Sequence, residues 1–327
     1  MLKLSLSFLA LLALPISHVS AQITPAKWTS LTPGVSATGT IGTNSFKLVF
    51  ASGAGARQTI PNWTTTNDPD YTNTKTNRFG NGQYHCAPMA TNPVNHMILW
   101  EKDNWTITFA SPVQDLVVYL GSWRQGTYDF SEPFAIASGM TASVPMINPK
   151  TGKYSLDYPG TSLQYGALRF SNITTLTINE TQGKCCSGMW LTFGAGVPTK
   201  GCALATPWGL GCANMSLQSG RPITGQVLKI TMDNMPGTTV ADILLLGIIR
   251  LPKGVPTIPW PIANTCLQYT PANVIFAFAT TGTRHDLSIL VPSGLAIGSK
   301  AFMQGVALTS ANKFASSNGL ELMFGNM

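Results

Sequence analysis

Apolar and polar positions alternate with a period of two along most of this chain, and runs at helical spacing are nearly absent. SFKLVF (45–50), HMILW (96–100), NWTITFA (104–110), DLVVYLG (115–121), GALRFS (166–171), TLTINE (175–180) and MWLTFG (189–194) are short β-branched or aromatic runs bounded by turn formers. Alternation of this kind puts one set of side chains on each face of a strand, and Gly, Pro, Asn and Asp mark the turns between. The same texture resumes at QVLKITMDN (226–234), DILLLGII (242–249), VIFAFAT (274–280), DLSILV (286–291), FMQGVAL (302–308) and LELMFG (320–325). LLLGII is apolar on both faces, which suits a central strand, and Gly247 inside it marks a bulge or a close backbone approach. The polar stretch 62–83, rich in Asn, Thr and Gly, predicts a long surface excursion.

Between Ala195 and Cys212 the texture changes to Gly, Pro and Cys. This places a module boundary near Pro198 and a linker over 198–211. The reading is all-β: two antiparallel β-sandwich modules, jelly-roll or Ig-like, over 22–197 and 212–327.

The first residues, MLKLSLSFLALLALPISHVSAQ, follow the pattern of a secretory signal peptide: one basic residue (Lys3), an apolar core, then small-x-small at Val19-Ser20-Ala21. Cleavage after Ala21 is expected, with a secreted or cell-surface location. The apolar core falls short of the roughly 20 residues that span a bilayer, and no later run reaches that length, so no transmembrane segment is expected. Charged residues make up 10% of the chain, and its net charge is +7. The basic residues are scattered singly, with no cluster to track a phosphate backbone, so nucleic acid is not an expected partner. A mildly basic surface does attract an acidic cell wall or polysaccharide.

Six cysteines in a secreted chain imply disulfides. No C-x2-C pair spacing for zinc occurs. Cys185 and Cys186 are adjacent, and a bridge between neighbours closes a strained ring, so separate partners are expected. Three cysteines (Cys86, Cys185, Cys186) precede the boundary and three (Cys202, Cys212, Cys266) follow it. Full pairing therefore needs at least one bridge across it.

Catalytic signatures are sparse. G-x-S-x-G and H-E-x-x-H are absent. His285-Asp286 reads as a turn entering a strand, with Asp286 a turn residue rather than a triad member. A sandwich glycosidase needs two carboxylates roughly 5–10 Å apart, and the sequence offers Glu101 with Asp103 and Asp129 with Glu132. Solvated turn carboxylates are the preferred reading, which leaves Glu101 and Glu132 as the catalytic alternative. For binding, Trp63 in the polar excursion and Trp123 in GSWRQG lack apolar neighbours, so they are the candidate sugar-stacking residues. TNDPDYTN reads first as a cluster of Asx turns; its alternative is a structural calcium ion held by Asp68 and Asp70, although the spacing is not that of an EF-hand.

GLGCANMSLQSGRPITGQVLKITMDNMP, ADILLLGI, ANTCLQY and SSNGLELMFGN, in that order, resemble a C-terminal β module of secreted proteins from Planctomycetes and related bacteria. The resemblance covers about 120 residues and implies architecture and location, not a reaction. It also implies a Cys212–Cys266 bridge, leaving Cys86 for one of the adjacent pair and Cys202 for the other. ATGTIGTNSFKLVF, ITFASPVQDLVVYLGSWRQGTYDFSEPFAI and CCSGMWLTFG are similar to sandwich modules of bacterial surface proteins. The expectation is a non-catalytic surface protein whose first module binds a polysaccharide or other cell-surface component. A carbohydrate-active sandwich enzyme and a structural coat subunit are the alternatives.

Overall fold

The computed structural model describes residues 23–32, 34–51, 97–99, 104–123, 126–139, 145–147, 151–158, 164–183, 189–196, 201–251, 253–256, 258, 261–280 and 282–326. Among them the protein is almost entirely β, built from antiparallel sheets. No helix of the described residues is long and apolar enough to cross a membrane. The chain divides into two compact units, Ala21–Thr199 with Thr206–Leu210, and Lys200–Ala205 with Gly211–Met327.

The N-terminal unit begins with β1 (Thr24–Thr32), β2 (Ser36–Ile41), β3 (Asn44–Phe50), β4 (Met97–Leu99), β5 (Trp105–Val113) and β6 (Leu116–Trp123). It continues through β7 (Gly126–Phe130), β8 (Phe134–Gly139), β9 (Pro145–Ile147), β10 (Tyr154–Tyr158), β11 (Gln164–Phe170), β12 (Ile173–Gly183) and β13 (Met189–Ala195). One sheet runs β8-β11-β6-β13-β1-β2-β3-β5-β12-β7-β10-β9, with β4 paired to β13. It curls into a nearly closed, barrel-like form in which the end strands β8 and β9 approach each other.

The expected sandwich layers are thus two halves of a single sheet, and β1 is the reason. Its Thr24 and Pro25 pair with β13, whereas Ala26–Thr32 pair with β2. A strand that changes partners along its length turns the corner between layers. The alternation of β3 and β5 sends Phe46, Leu48 and Phe50, and Trp105, Ile107 and Phe109, into the core. From the other layer Val118, Leu120, Leu168, Leu191 and Phe193 meet them. The Phe193 ring lies 5.6 Å from Trp28, 5.7 Å from Trp105 and 5.9 Å from Phe46. Such aromatic pairs add about 1 kcal/mol each beyond their buried area.

The remaining strands are β14 (Leu204–Trp208), β15 (Ser216–Ser219), β16 (Val227–Asp233), β17 (Thr239–Gly247), β18 (Val274–Ala279), β19 (His285–Leu290), β20 (Lys300–Thr309) and β21 (Phe314–Met323). They form a five-stranded sheet, β14-β21-β20-β17-β18, and a three-stranded sheet, β15-β16-β19. Leu217, Leu228, Ile230 and Met232 of the smaller sheet meet Leu244, Met303, Leu320 and Leu322 of the larger in one core. On the far face of the larger sheet Leu245 and Val306 pack with Ile258. The LLLG strand is therefore buried on both sides, as its unbroken apolar run predicts. A Cβ built at Gly247 would fall 2.1 Å from Thr270 Oγ1 and 2.6 Å from the Pro271 carbonyl oxygen, so this glycine permits a close backbone approach.

The segment read as a linker contains β14, which takes its place at one end of the five-stranded sheet. Its Leu204-Ala205-Thr206-Pro207-Trp208 is short and interrupted by proline, and carries little strand signal. Cys212 and Cys266 form a disulfide that closes a span of 54 residues. In the chain-entropy account such a closure stabilises by about 4 kcal/mol. Cys202 is also disulfide-bonded.

Candidate functional site

The alternation that fills the N-terminal core lines the opposite face with hydroxyls. One register row runs Ser30–Thr38–Lys47–Thr108–Thr175 across β1, β2, β3, β5 and β12. A second runs Ser36–Val49–Thr106–Thr177. The Thr38 hydroxyl lies 2.6 Å from that of Ser30 and 2.9 Å from that of Thr29, at the register shift of β1, and the Thr106 and Thr177 hydroxyls are 2.9 Å apart. Each hydroxyl donates once and accepts twice, so the face keeps unused capacity toward solvent. Lys27 and Lys47 stand exposed on it, and β1, β2, β3 and β5 carry no carboxylate. The face can hydrogen-bond a polyhydroxylated ligand and attract one that bears negative charge.

Three described carboxylates of this unit are engaged in structural ties. Arg169 Nε donates to Asp115 at 2.9 Å. Asp157 accepts from the Thr127 hydroxyl at 2.9 Å. Asp129 is buried on β7 and accepts hydroxyl hydrogen bonds from Thr151, at 2.8 Å, and from Ser155. Glu132 lies in the turn between β7 and β8, where partial burial pushes its carboxyl above the usual range. A raised carboxyl suits a general acid, yet Asp129, the acid paired with it in the sequence reading, is tied up by hydroxyls.

Trp123 ends β6 opposite Gln164, and its side chain is outside the described part of the structure. Trp63, Asp68, Asp70, Cys86, Glu101, Asp103, Cys185 and Cys186 likewise lie outside the described residues. Among the described residues no three His, Cys, Asp or Glu side chains gather to hold a metal ion.

The C-terminal unit holds a polar pair that the sequence did not signal. His285 on β19 places Nδ1 against Oδ2 of Asp242 on β17, joining the two sheets. Asp242 is fully buried; burial pushes its carboxyl up, while the hydrogen bond and charge of His285 pull it down. Among the described residues Oδ1 of Asp242 has no hydrogen-bond partner. The Phe278 ring stands edge-on to the imidazole, 5.4 Å between centroids.

His285 and Asp286 both lie within β19, not in a turn before it. Asp286 faces solvent and takes hydrogen bonds from Arg284 at 3.1 Å and Thr231 at 2.6 Å, which hold its carboxyl below the usual range. Adjacent strand residues face opposite ways, so Asp286 points away from the sheet interface that His285 faces.

Against known proteins, no family model matches this chain and no curated protein matches it.

Proposed function

We propose that this is a secreted, non-catalytic surface or extracellular-matrix protein whose N-terminal unit binds an acidic polysaccharide through the hydroxyl face of β1, β2, β3, β5 and β12. The observation that carries this reading is the row Ser30–Thr38–Lys47–Thr108–Thr175, in which hydroxyls flank a lysine across five neighbouring strands. Strands lie about 4.8 Å apart, and alternate residues along a strand about 6.8 Å. An extended glycan laid across the face thus meets a donor or acceptor at each step. With Lys27 beside it and no carboxylate on four of the strands, the face favours uronate- or sulfate-bearing chains over neutral ones. The signal-peptide pattern and the low charge of the chain agree with an extracellular setting.

Pull-down of the protein on acidic and neutral polysaccharides, with a reducing-end assay on the same mixtures, tests the reading. Retention on acidic chains that falls with salt, without release of reducing ends, is expected. Release of reducing ends that is lost on Glu132→Gln would replace it with the glycosidase alternative.

A further inference from the structure

Two lysines punctuate the hydroxyl face, and the strand register fixes how far apart their charges stand. Lys27 of β1 pairs with Thr40 of β2, which pairs in turn with Ser45 of β3. Lys47 of β3 stands opposite Thr38, two residues along β2 from Thr40. Lys27 and Lys47 are therefore two strands and one two-residue step apart. With strands roughly 4.8 Å apart and alternate residues roughly 6.8 Å apart, that diagonal is about 12 Å. Both side chains are exposed, and neither forms an ion pair among the described residues. Between them, on the same face, β2 presents Thr38 and Thr40. Of the five strands only β12 carries a carboxylate, Glu180, and it lies two strands beyond Lys47.

We propose that this diagonal is a charge ruler: the face takes a polysaccharide whose acid groups sit on every second sugar, one acid on each lysine. The ruler rests on the acidic-polysaccharide reading of the same face and adds the spacing of the charges. A pyranose unit of an extended chain is about as long as one strand spacing, roughly 4.8 Å. A chain laid along the diagonal thus brings alternate sugars, not neighbours, to Lys27 and Lys47. The flexible lysine stems take up the remainder.

The sugar between the two acids meets Thr38 and Thr40. Each hydroxyl donates once and accepts twice, which suits the hydroxyls of a neutral sugar. Acids on neighbouring sugars reach one lysine between them, and the second acid is left over threonines with no counter-charge. Exposure holds each lysine–acid contact to the modest strength of a surface ion pair. Selectivity therefore comes from engaging both lysines at once, which only the alternating pattern does.

Titration calorimetry on the whole protein with two tetrasaccharides of equal charge separates spacing from simple attraction. One carries uronates on its first and third sugars, its isomer carries them on the first and second, and a neutral tetrasaccharide is the reference. The alternating ligand should bind roughly threefold tighter than its isomer, the scale of one exposed ion pair. Lys27→Gln and Lys47→Gln should each remove that preference, while Lys229→Gln, exposed on β16, keeps it. Unchanged circular dichroism and melting report that the variants fold. Equal or weaker binding of the alternating ligand, with both acidic isomers above the neutral one, overturns the ruler and leaves the acidic-polysaccharide reading standing. A preference that survives Lys27→Gln or Lys47→Gln overturns it too. Binding of the acidic isomers no tighter than that of the neutral ligand removes both.

Discussion

His285 and Asp242 join the two sheets of the C-terminal sandwich through a side-chain bond between a half-buried imidazole and a fully buried carboxylate. Burial is the larger influence on Asp242 and raises its pKa. A carboxyl whose folded pKa is raised gives stability that is complete below its ordinary value and is lost as pH rises through the folded one. His285 limits that loss by hydrogen-bonding the carboxylate. His285→Ala should therefore cost about 3 kcal/mol near pH 7, where a buried carboxylate loses its partner, and less near pH 4, toward which Asp242 gains its proton. Urea unfolding of both proteins at the two pH values checks the difference. An equal cost at both would show that the carboxylate does not depend on the imidazole.

A second cross-sheet tie involves no titrating group. Asn318 on β21 accepts from the Leu217 amide at 2.8 Å and donates to the Leu217 carbonyl at 3.1 Å, which imitates a strand partner for β15. Truncation strands both backbone groups in a buried setting. Asn318→Ala should cost about 2–4 kcal/mol, with the same value at pH 4 and pH 7. Denaturant midpoints at both provide the measurement.

Tyr128 projects from β7 into the N-terminal core, and burial, with the charge of Glu180 second, raises its pKa above the ordinary value. Its contribution is intact below pH 10 and is lost as pH climbs through the folded pKa. Tyr128→Phe should flatten the alkaline decline of thermal stability. Melting scans between pH 8 and pH 12 compare the two.

At Gly247 an added methyl collides with Thr270 and Pro271. Gly247→Ala should destabilise by about 2 kcal/mol through overpacking. A thermal melt that shifts by less than a degree would mean that this loop yields freely.

The alternating strands were legible because their inward residues are large: Phe46, Leu48 and Phe50 of β3, and Trp105, Ile107 and Phe109 of β5, announce a period of two. β2 was not legible for the converse reason. Its inward residues are Ala37, Gly39 and Ile41, and Gly39 is so closely covered by the Phe46 ring that a Cβ there would fall 2.4 Å from it. Small residues under a large neighbour leave no hydrophobic trace. β14 was hidden by Pro207 in a Gly-rich stretch. The partner of His285 was hidden by distance: Asp242 lies 43 positions away, whereas Asp286 is adjacent and faces elsewhere. The hydroxyl face did leave a signal, the alternate Thr and Ser of SATGTI, WTITF and ITTLT. It could have been read as a surface rather than as the outside of a core.

On the proposed function, the hydroxyl face of the N-terminal unit holds an acidic polysaccharide. The most direct measurement is titration calorimetry of the wild type and of Thr38→Val/Thr108→Val/Lys47→Met against an acidic polysaccharide retained in the pull-down. These side chains lie on the outward face, so melting should stay unchanged. The triple variant should lose affinity at least tenfold, about 1.4 kcal/mol. Unchanged affinity in a folded triple variant would contradict it.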